Sequence, residues 1–529
     1  METSPIFTCI SMSTKLTRRQ VLEAGIASGL LLSAGCRRRA PSAAPLAVSD
    51  PSTRPDLEVS LKSTRARVNV DGTGRGTNVL RFEGKRLAGA PGTFDGSDAS
   101  YLGPTFRLRR GQRVRVNFEN ALDEASVVHW HGLDVSEEND GHPRFAIAGG
   151  TTRRYDFTVE NRPGTYWYHP HPEGRTGFQV HAGMAGFFLV TDADDAARGL
   201  PAPEFDLPLV IQDRILDGES QFVYAPNQML GFLGDRILVN GRADASFDVK
   251  AGTYRLRLLN GSNARIYKLA WSDGSPMKVI GTDGGLVAAP IERPAVLLAP
   301  GERIELWADF GSAPAGDSVW LESRAFAIGG GMMGGGMMGG GMMGGGGSSN
   351  APPNGAALRI CRFEIAGKGP RLPIPRDLSP PEWRPPEEVV NRQNPRRFAV
   401  SMAMMRWVLN GLPFDMTEVA ANERIKLGVT EEWEFSNPGA MMTTAHPIHV
   451  HGGQFQIVQR TVAPGWRAVA ATMEDALVDD GWKDTFLLRP GEQVRIRVRF
   501  ARHAGLFLYH CHNLEHEDMG MMRNFRIEG

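Results

Sequence analysis

One phrase occurs three times along the chain. Arg109-Arg110-Gly111-Gln112-Arg113-Val114-Arg115-Val116 is echoed by Ala299-Pro300-Gly301-Glu302-Arg303-Ile304-Glu305-Leu306, and again by Arg489-Pro490-Gly491-Glu492-Gln493-Val494-Arg495-Ile496. Each copy is a glycine-centred turn feeding a run in which apolar and polar residues alternate, the pattern of a strand with one wet face. The copies stand about 190 residues apart, so a β-domain of about 150 residues is expected three times over, with connectors between. Glu58-Val59-Ser60-Leu61 and Thr105-Phe106-Arg107-Leu108 alternate in the same way. A chain of 529 residues is too long for one core. Its 62 Gly and 35 Pro suit short strands and many turns better than a helical bundle. Pro-rich stretches at Pro201-Ala202-Pro203 and from Pro373 to Pro386 mark boundaries, giving units at 57–200, 201–372 and 373–529.

The first residues read as an address rather than as fold. Thr17-Arg18-Arg19-Gln20-Val21-Leu22 resembles a twin-arginine export signal, and the apolar stretch from Ala24 to Ala34 is too short to span a bilayer. It ends in Ser33-Ala34-Gly35-Cys36, which resembles a lipobox. Residues 1–36 are therefore expected to be an export signal and 37–56 a Pro/Ala/Ser-rich tether, which places the protein in the periplasm or otherwise outside the cytoplasm. Cys36 is the candidate for a lipid anchor, with ordinary signal cleavage the alternative. Of the four Cys, Cys9 and Cys36 belong to this leader and Cys361 reads as a buried strand residue, leaving no evident disulfide pair. The balance of 59 Lys+Arg against 59 Asp+Glu gives no reason to expect a nucleic-acid partner. Within the second unit, Gly329 to Gly347 has neither helical nor strand period: Met pairs at 332/333, 337/338 and 342/343 are separated by Gly triplets.

Ten of the 13 His fall in four tight clusters. These are His129-Trp130-His131-Gly132; His169-Pro170-His171; His446-Pro447-Ile448-His449-Val450-His451-Gly452; and His510-Cys511-His512, followed by His516 and Met521. In a strand, residues i and i+2 point to the same face, so each His-x-His aims two imidazoles at one point. Imidazole suits copper, iron, nickel or zinc. The fourth cluster narrows the choice. His510 and His512 face one way and Cys511 the other, so the thiolate serves a separate metal, with His446, His516 and Met521 available to it. Two His, one Cys and a weak thioether are the blue-copper set, and a zinc site has no use for the Met. His142, His181 and His503 have no motif partner and are expected to be structural or solvent-facing.

Together these motifs resemble those of the multicopper oxidases, a family that includes laccases and bacterial cuprous oxidases, and the resemblance covers essentially the whole chain after its leader. It implies an all-β fold of three cupredoxin-like Greek-key β-sandwich domains, with a copper cluster wedged between the first and third. It implies four copper ions. The type 1 ion would take His446, Cys511, His516 and Met521, and the type 2 ion His129 and His449. The type 3 pair would take His131, His169 and His512 on one ion and His171, His451 and His510 on the other. The implied activity couples one-electron oxidation of a reductant to four-electron reduction of O2 to water. Asp140 matches an acid that supplies protons beside the type 2 copper; its other reading is the turn residue of Asp140-Gly141. Glu517 matches an acid in a second proton path; its other reading is an exposed loop carboxylate.

Methionine separates the candidate reductants. Met residues gather in the Gly-Met tract, at Met402/Met404/Met405, at Met441/Met442 and at Met519/Met521/Met522, and soft thioethers prefer Cu(I). Gly439-Ala440-Met441-Met442, Gly481-Trp482-Lys483-Asp484-Thr485 and His516-Glu517-Asp518-Met519-Gly520-Met521-Met522 resemble the bacterial copper-efflux oxidases. The chain departs from them at Ala440, where Asp is common, in two extra residues before His446, and in a Gly-Met tract where they carry a Met-rich helix. The leading expectation is a monomeric cuprous oxidase for copper tolerance that also accepts phenols or aromatic amines. One alternative is a laccase-type phenol oxidase, recognisable by an open cleft over His446 and His516. The other is a copper-sequestering resistance protein, which would consume no O2. Met402, Met404 and Met405, near Trp407, are read as either core or copper-related.

Overall fold

The computed structural model describes residues 54–96, 100–192, 194–195, 197–314, 316–329, 351–379, 385–439 and 444–529. The leader with Cys36, the Gly-Met tract beyond Gly329, and Ala440, Met441 and Met442 lie outside the described residues. The recurring phrase is a recurring structure. Gly111, Gly301 and Gly491 all take left-handed backbone, with φ of 87°, 84° and 68°, a conformation that strains any residue with a Cβ. The strands that these turns feed, Arg113–Asn120, Arg303–Asp309 and Glu492–Arg499, each lie inside a sheet with a neighbour on both sides. Alternation along Arg113–Asn120 turns Val114, Val116 and Phe118 inward and leaves Arg115 and Asn117 half-exposed.

Six sheets fall into three pairs along the chain. Between Leu57 and Thr191, one sheet is ordered Thr77–Ala88, Leu57–Val68, Arg113–Asn120, Thr151–Thr158. The sheet facing it is ordered Phe94–Asp95, Thr105–Arg109, Gly186–Thr191, Gly164–Pro170, Val128–His131. Val116, Phe118, Trp130 and Phe188 join the two in one core. Between Asp206 and Lys368 a seven-stranded and a five-stranded sheet enclose Leu256, Leu269, Leu306 and Phe363. Between Arg396 and Glu528 two five-stranded sheets enclose Ile448, Trp433, Ile496 and Phe525, with Cys511 and Met521 in the same apolar cluster. Each sandwich also runs an early strand parallel to a later one: Val59 beside Val116, Leu209 beside Leu258, and Phe398 beside Phe435. The expected all-β architecture is the one that forms. Among the described residues, no helix is long and apolar enough to cross a membrane.

Candidate metal centre

Strand pairing sets the imidazoles opposite one another. Val128–His131 pairs antiparallel with Gly164–Pro170 so that His129 faces His169. His446–Val450 pairs with Gly505–Cys511 so that His449 faces His510. The first two strands belong to the first sandwich and the last two to the third, and their rings meet between them. Ring centroids are 3.9 Å apart for His129 and His451, 3.7 Å for His131 and His449, 5.3 Å for His169 and His512, and 5.0 Å for His171 and His510. All eight rings are buried. One ring nitrogen from each of His131, His169 and His512 lies within 4.8 Å of the others, and the same holds for His171, His451 and His510 and for His129, His131 and His449.

The surroundings settle which nitrogen of most rings faces inward. The Nδ1–H of His129 donates to the Asp140 carbonyl (2.6 Å), that of His169 to the Pro170 carbonyl (2.9 Å), and that of His449 to the Asp484 carbonyl (2.9 Å). His451 Nδ1–H donates to Asp140 Oδ2 (2.8 Å), and His510 Nδ1–H points to the Cys511 carbonyl (3.2 Å) and Glu517 Oε2 (3.1 Å). His131 is reversed: its Nε2–H donates to Asp484 Oδ1 (3.2 Å), leaving Nδ1 inward. An imidazole whose outer nitrogen is held by an acceptor presents its inner lone pair to a metal. His129 Nε2, His131 Nδ1, His169 Nε2 and His449 Nε2 are buried with no hydrogen-bond partner among the described residues, the condition of a ligand atom facing its ion. Burial also favours the neutral rings: His129, His131, His449, His451 and His512 are pushed well below the usual imidazole pKa, His169 to about 3 and His171 to about 4. The donor set fits copper.

A second group lies within the third sandwich. Cys511 Sγ is 3.5 Å from His446 Nδ1 and 3.6 Å from His516 Nδ1. Burial pushes the Cys511 thiol up, so its thiolate form calls for a cation beside it. Met521 is fully buried, and its backbone binds both ligands' segments: its carbonyl accepts from Cys511 N (3.0 Å) and its N–H donates to the His516 carbonyl (2.9 Å). The outer edges of the two imidazoles are covered. His516 Nε2–H donates to the Met229 carbonyl (3.0 Å), to which Trp407 Nε1–H also donates (3.3 Å), and the Trp407 ring stands 4.7 Å from that of His446. His446 and His516 are both fully buried, so no open cleft lies over them among the described residues.

The two expected acids are both buried, so Glu517 is not an exposed loop carboxylate. Asp140 ends the short helix Glu137–Asp140, where Gly141 (φ 90°) lets the chain pass against the Val128 carbonyl and the His129 backbone; a Cβ there would collide with both. Burial pushes Asp140 well above the usual carboxylate range, and its Oδ1 has no hydrogen-bond partner among the described residues. Glu517 Oε1 and Oε2 stand 3.5 Å from His171 Nδ1 and 3.1 Å from His510 Nδ1. Burial opposes its ionisation, but these two imidazoles hold it well below the usual range.

Three contributors had no role in the sequence reading. Asp484 accepts from His131, and Arg303 of the second sandwich grips it through both guanidinium nitrogens (2.7 and 2.6 Å). The signal was the Trp482-Lys483-Asp484-Thr485 run, noticed only as a resemblance. Trp407 was noted only as a neighbour of methionines. The Met229 carbonyl has no sequence signature at all. The unassigned His behave as expected: His142 is buried and bonded to Asn524 Oδ1 (2.8 Å), His181 is buried among Tyr224 and Phe232, and His503 is part-exposed near Asp134. Cys361 is a buried strand residue. The core alternative fails for the methionine run: Met404 is 98% and Met405 69% exposed.

Family models described as multicopper oxidase match residues 84–195 and 384–529. The chain is 29% identical over 435 residues to multicopper oxidase mco of Staphylococcus aureus, covering 82% of this chain and 83% of that protein. It is 29% identical over 484 residues to a laccase of Bacillus stratosphericus, covering 81% and 90%. Among solved structures, the 2F4 variant of the McoA multicopper oxidase from Aquifex aeolicus superposes with a TM-score of 0.72 at 33% identity, covering 89% of this chain and 96% of that one.

Proposed function

Because the chain belongs to the multicopper oxidase family, a copper-dependent group of oxidoreductases, we infer that it oxidises Cu(I) and passes the electrons to O2 as part of copper tolerance. In this reading four copper ions are held, the type 1 ion by His446, Cys511, His516 and Met521. His129 and His449 hold the type 2 ion. His131, His169 and His512 hold one type 3 ion, and His171, His451 and His510 the other. Bound copper supplies one-electron storage and the site of O2 reduction. The chain supplies the rest. Backbone carbonyls, Asp140, Asp484 and Glu517 fix ring orientation, and the buried walls exclude water. Burial raises the Asp140 pKa, so an acid able to hold a proton stands beside the cluster with its Oδ1 unpartnered among the described residues. Units 57–200, 201–372 and 373–529 are the three domains of this reading, supported by the three pairs of sheets. Export, anchoring at Cys36 and a monomeric state belong to it too.

The observation that carries Cu(I) over an organic reductant is the covered pair His446 and His516, packed against Trp407, whose hairpin presents Met402, Met404 and Met405 to solvent. Among the described residues, neither imidazole offers a phenol an exposed edge. A small soft ion needs only thioethers and a short path through Trp407. The laccase reading keeps the support of relatives called laccases, the Bacillus stratosphericus protein among them. Simple sequestration would use the donor set and the oriented rings, but it gives no role to the unpartnered Oδ1 of Asp140. The test is O2 uptake with chelated Cu(I) and with a phenol at matched concentration. Faster uptake with Cu(I) is expected; uptake with the phenol alone would make the protein a laccase, and none with either would leave sequestration.

A further inference from the structure

Away from the histidines, a cavity of about 170 Å³ lies between the first and third sandwiches, and its charge is unbalanced. Arg110, Arg162, Arg499 and Arg502 line it against only two carboxylates, Asp134 and Glu160. Both carboxylates are engaged by the same guanidinium: Arg502 reaches Asp134 Oδ2 at 2.5 Å and Glu160 Oε2 at 3.9 Å. Arg162 donates to Ser379 Oγ (2.8 Å) and lies over Trp482 (5.9 Å). Among the described residues no carboxylate pairs with Arg110 or Arg499, and Arg499 Nε is buried without a hydrogen-bond partner. Four arginines against two carboxylates leave an excess of positive charge along one small space, and like charges so placed repel.

We propose that this cavity is a binding site for a small tetrahedral oxyanion, phosphate or sulfate, held chiefly by Arg110 and Arg499. The planar fork of Arg matches such oxygens with paired hydrogen bonds, and the space is below the range of drug-sized ligand pockets, which begins at about 300 Å³. Position gives the anion a consequence. Arg110 belongs to the first sandwich and Arg499 to the third, and the cavity wall includes Gly453, two residues beyond His451, and Trp482, two before Asp484. An anion bridging the two arginines therefore ties together the same two sandwiches whose imidazoles form the cluster.

The test is thermal unfolding of the copper-loaded protein against inorganic phosphate, with sulfate as a second arm and NaCl at equal ionic strength as control. A ligand that binds only the folded state raises Tm along a saturating curve, whereas exclusion of phosphate or sulfate from protein surfaces gives a rise that does not saturate. A saturating rise is expected with phosphate, with sulfate, or with both, and the stronger of the two identifies the anion. Arg499→Gln should weaken that binding at least tenfold. Arg110→Gln, at an exposed turn position that disturbs no core, should weaken it too and serves if Arg499→Gln does not fold. A rise that never saturates, or one unchanged in Arg110→Gln, overturns the site.

Discussion

Met404 and Met405 make a two-residue hairpin turn between strands Arg396–Ala403 and Arg406–Leu409, with Ala403 paired to Arg406. Both have positive φ, 48° and 62°. Turns of this kind favour Asn-Gly, because left-handed backbone costs a residue with an ordinary Cβ about 1–2 kcal/mol. Replacing the pair by Asn-Gly relieves most of that at position 405 and part of it at 404, about 2 kcal/mol in all. Little burial is lost, since Met404 is 98% exposed and Met405 69%; the covered third of Met405 accounts for roughly 0.5 kcal/mol. The extra freedom of Gly in the unfolded chain removes another ~0.5 kcal/mol. The net expectation is a stabilisation of about 1 kcal/mol, or ~2–4 °C in the unfolding transition of the third sandwich. Calorimetry reads that shift, and oxygen uptake on chelated Cu(I) reads the cost. If the thioethers receive the ion, the more stable variant is the poorer cuprous oxidase, with kcat/KM falling and the blue absorption intact. A lower Tm would refute the strain argument, and undiminished Cu(I) turnover would remove the hairpin from the substrate path.

Cys511→Ser should abolish the intense thiolate-to-copper absorption while the imidazole cluster still takes up metal; a blue variant would refute the Cys511 assignment. Asp140→Asn keeps a hydrogen-bond acceptor for His451 but loses the proton, so copper content should hold while turnover falls about 10²–10⁴-fold; unchanged turnover and pH profile would leave Asp140 a turn residue. Asp484→Asn removes one of the two buried carboxylates that face Arg303, leaving Asp283 3.7 Å away, and should destabilise the fold by about 1.5–3 kcal/mol in denaturant titration. A loss under about 1 kcal/mol would show that the pair is solvated rather than buried.

The parts of this protein legible in its sequence are those governed by a short period. The strand repeat of two makes His-x-His a statement about a shared face, and it places Cys511 on the face opposite His510 and His512. The turns at Gly111, Gly301 and Gly491 were legible because left-handed backbone selects glycine. What was not legible depends on sequence-distant contact or on backbone atoms. Asp484 gains its meaning from His131, 353 positions away, and from Arg303. Met229 acts through a carbonyl that any residue would carry. The Met402–Met405 run was ambiguous because Met serves cores and surfaces alike, and only the hairpin geometry puts Met404 and Met405 outside.

The cluster draws its imidazoles from two sandwiches, whereas His446, Cys511 and His516 come from one. A chain that has folded only its first sandwich owns four of the rings, His129, His131, His169 and His171, and no complete triplet. Such a fragment grips metal weakly, because the missing partners enter only at the concentration at which they happen to be present, and not at the high effective concentration of a tethered neighbour. Tight retention of the cluster's ions is thus a certificate of completeness. It is available only to molecules in which the first and third sandwiches have docked, and it adds stability to those molecules alone. Half-made or misdocked chains are left metal-poor and easier to unfold, so the arrangement that assembles the catalyst also sorts finished copies from defective ones.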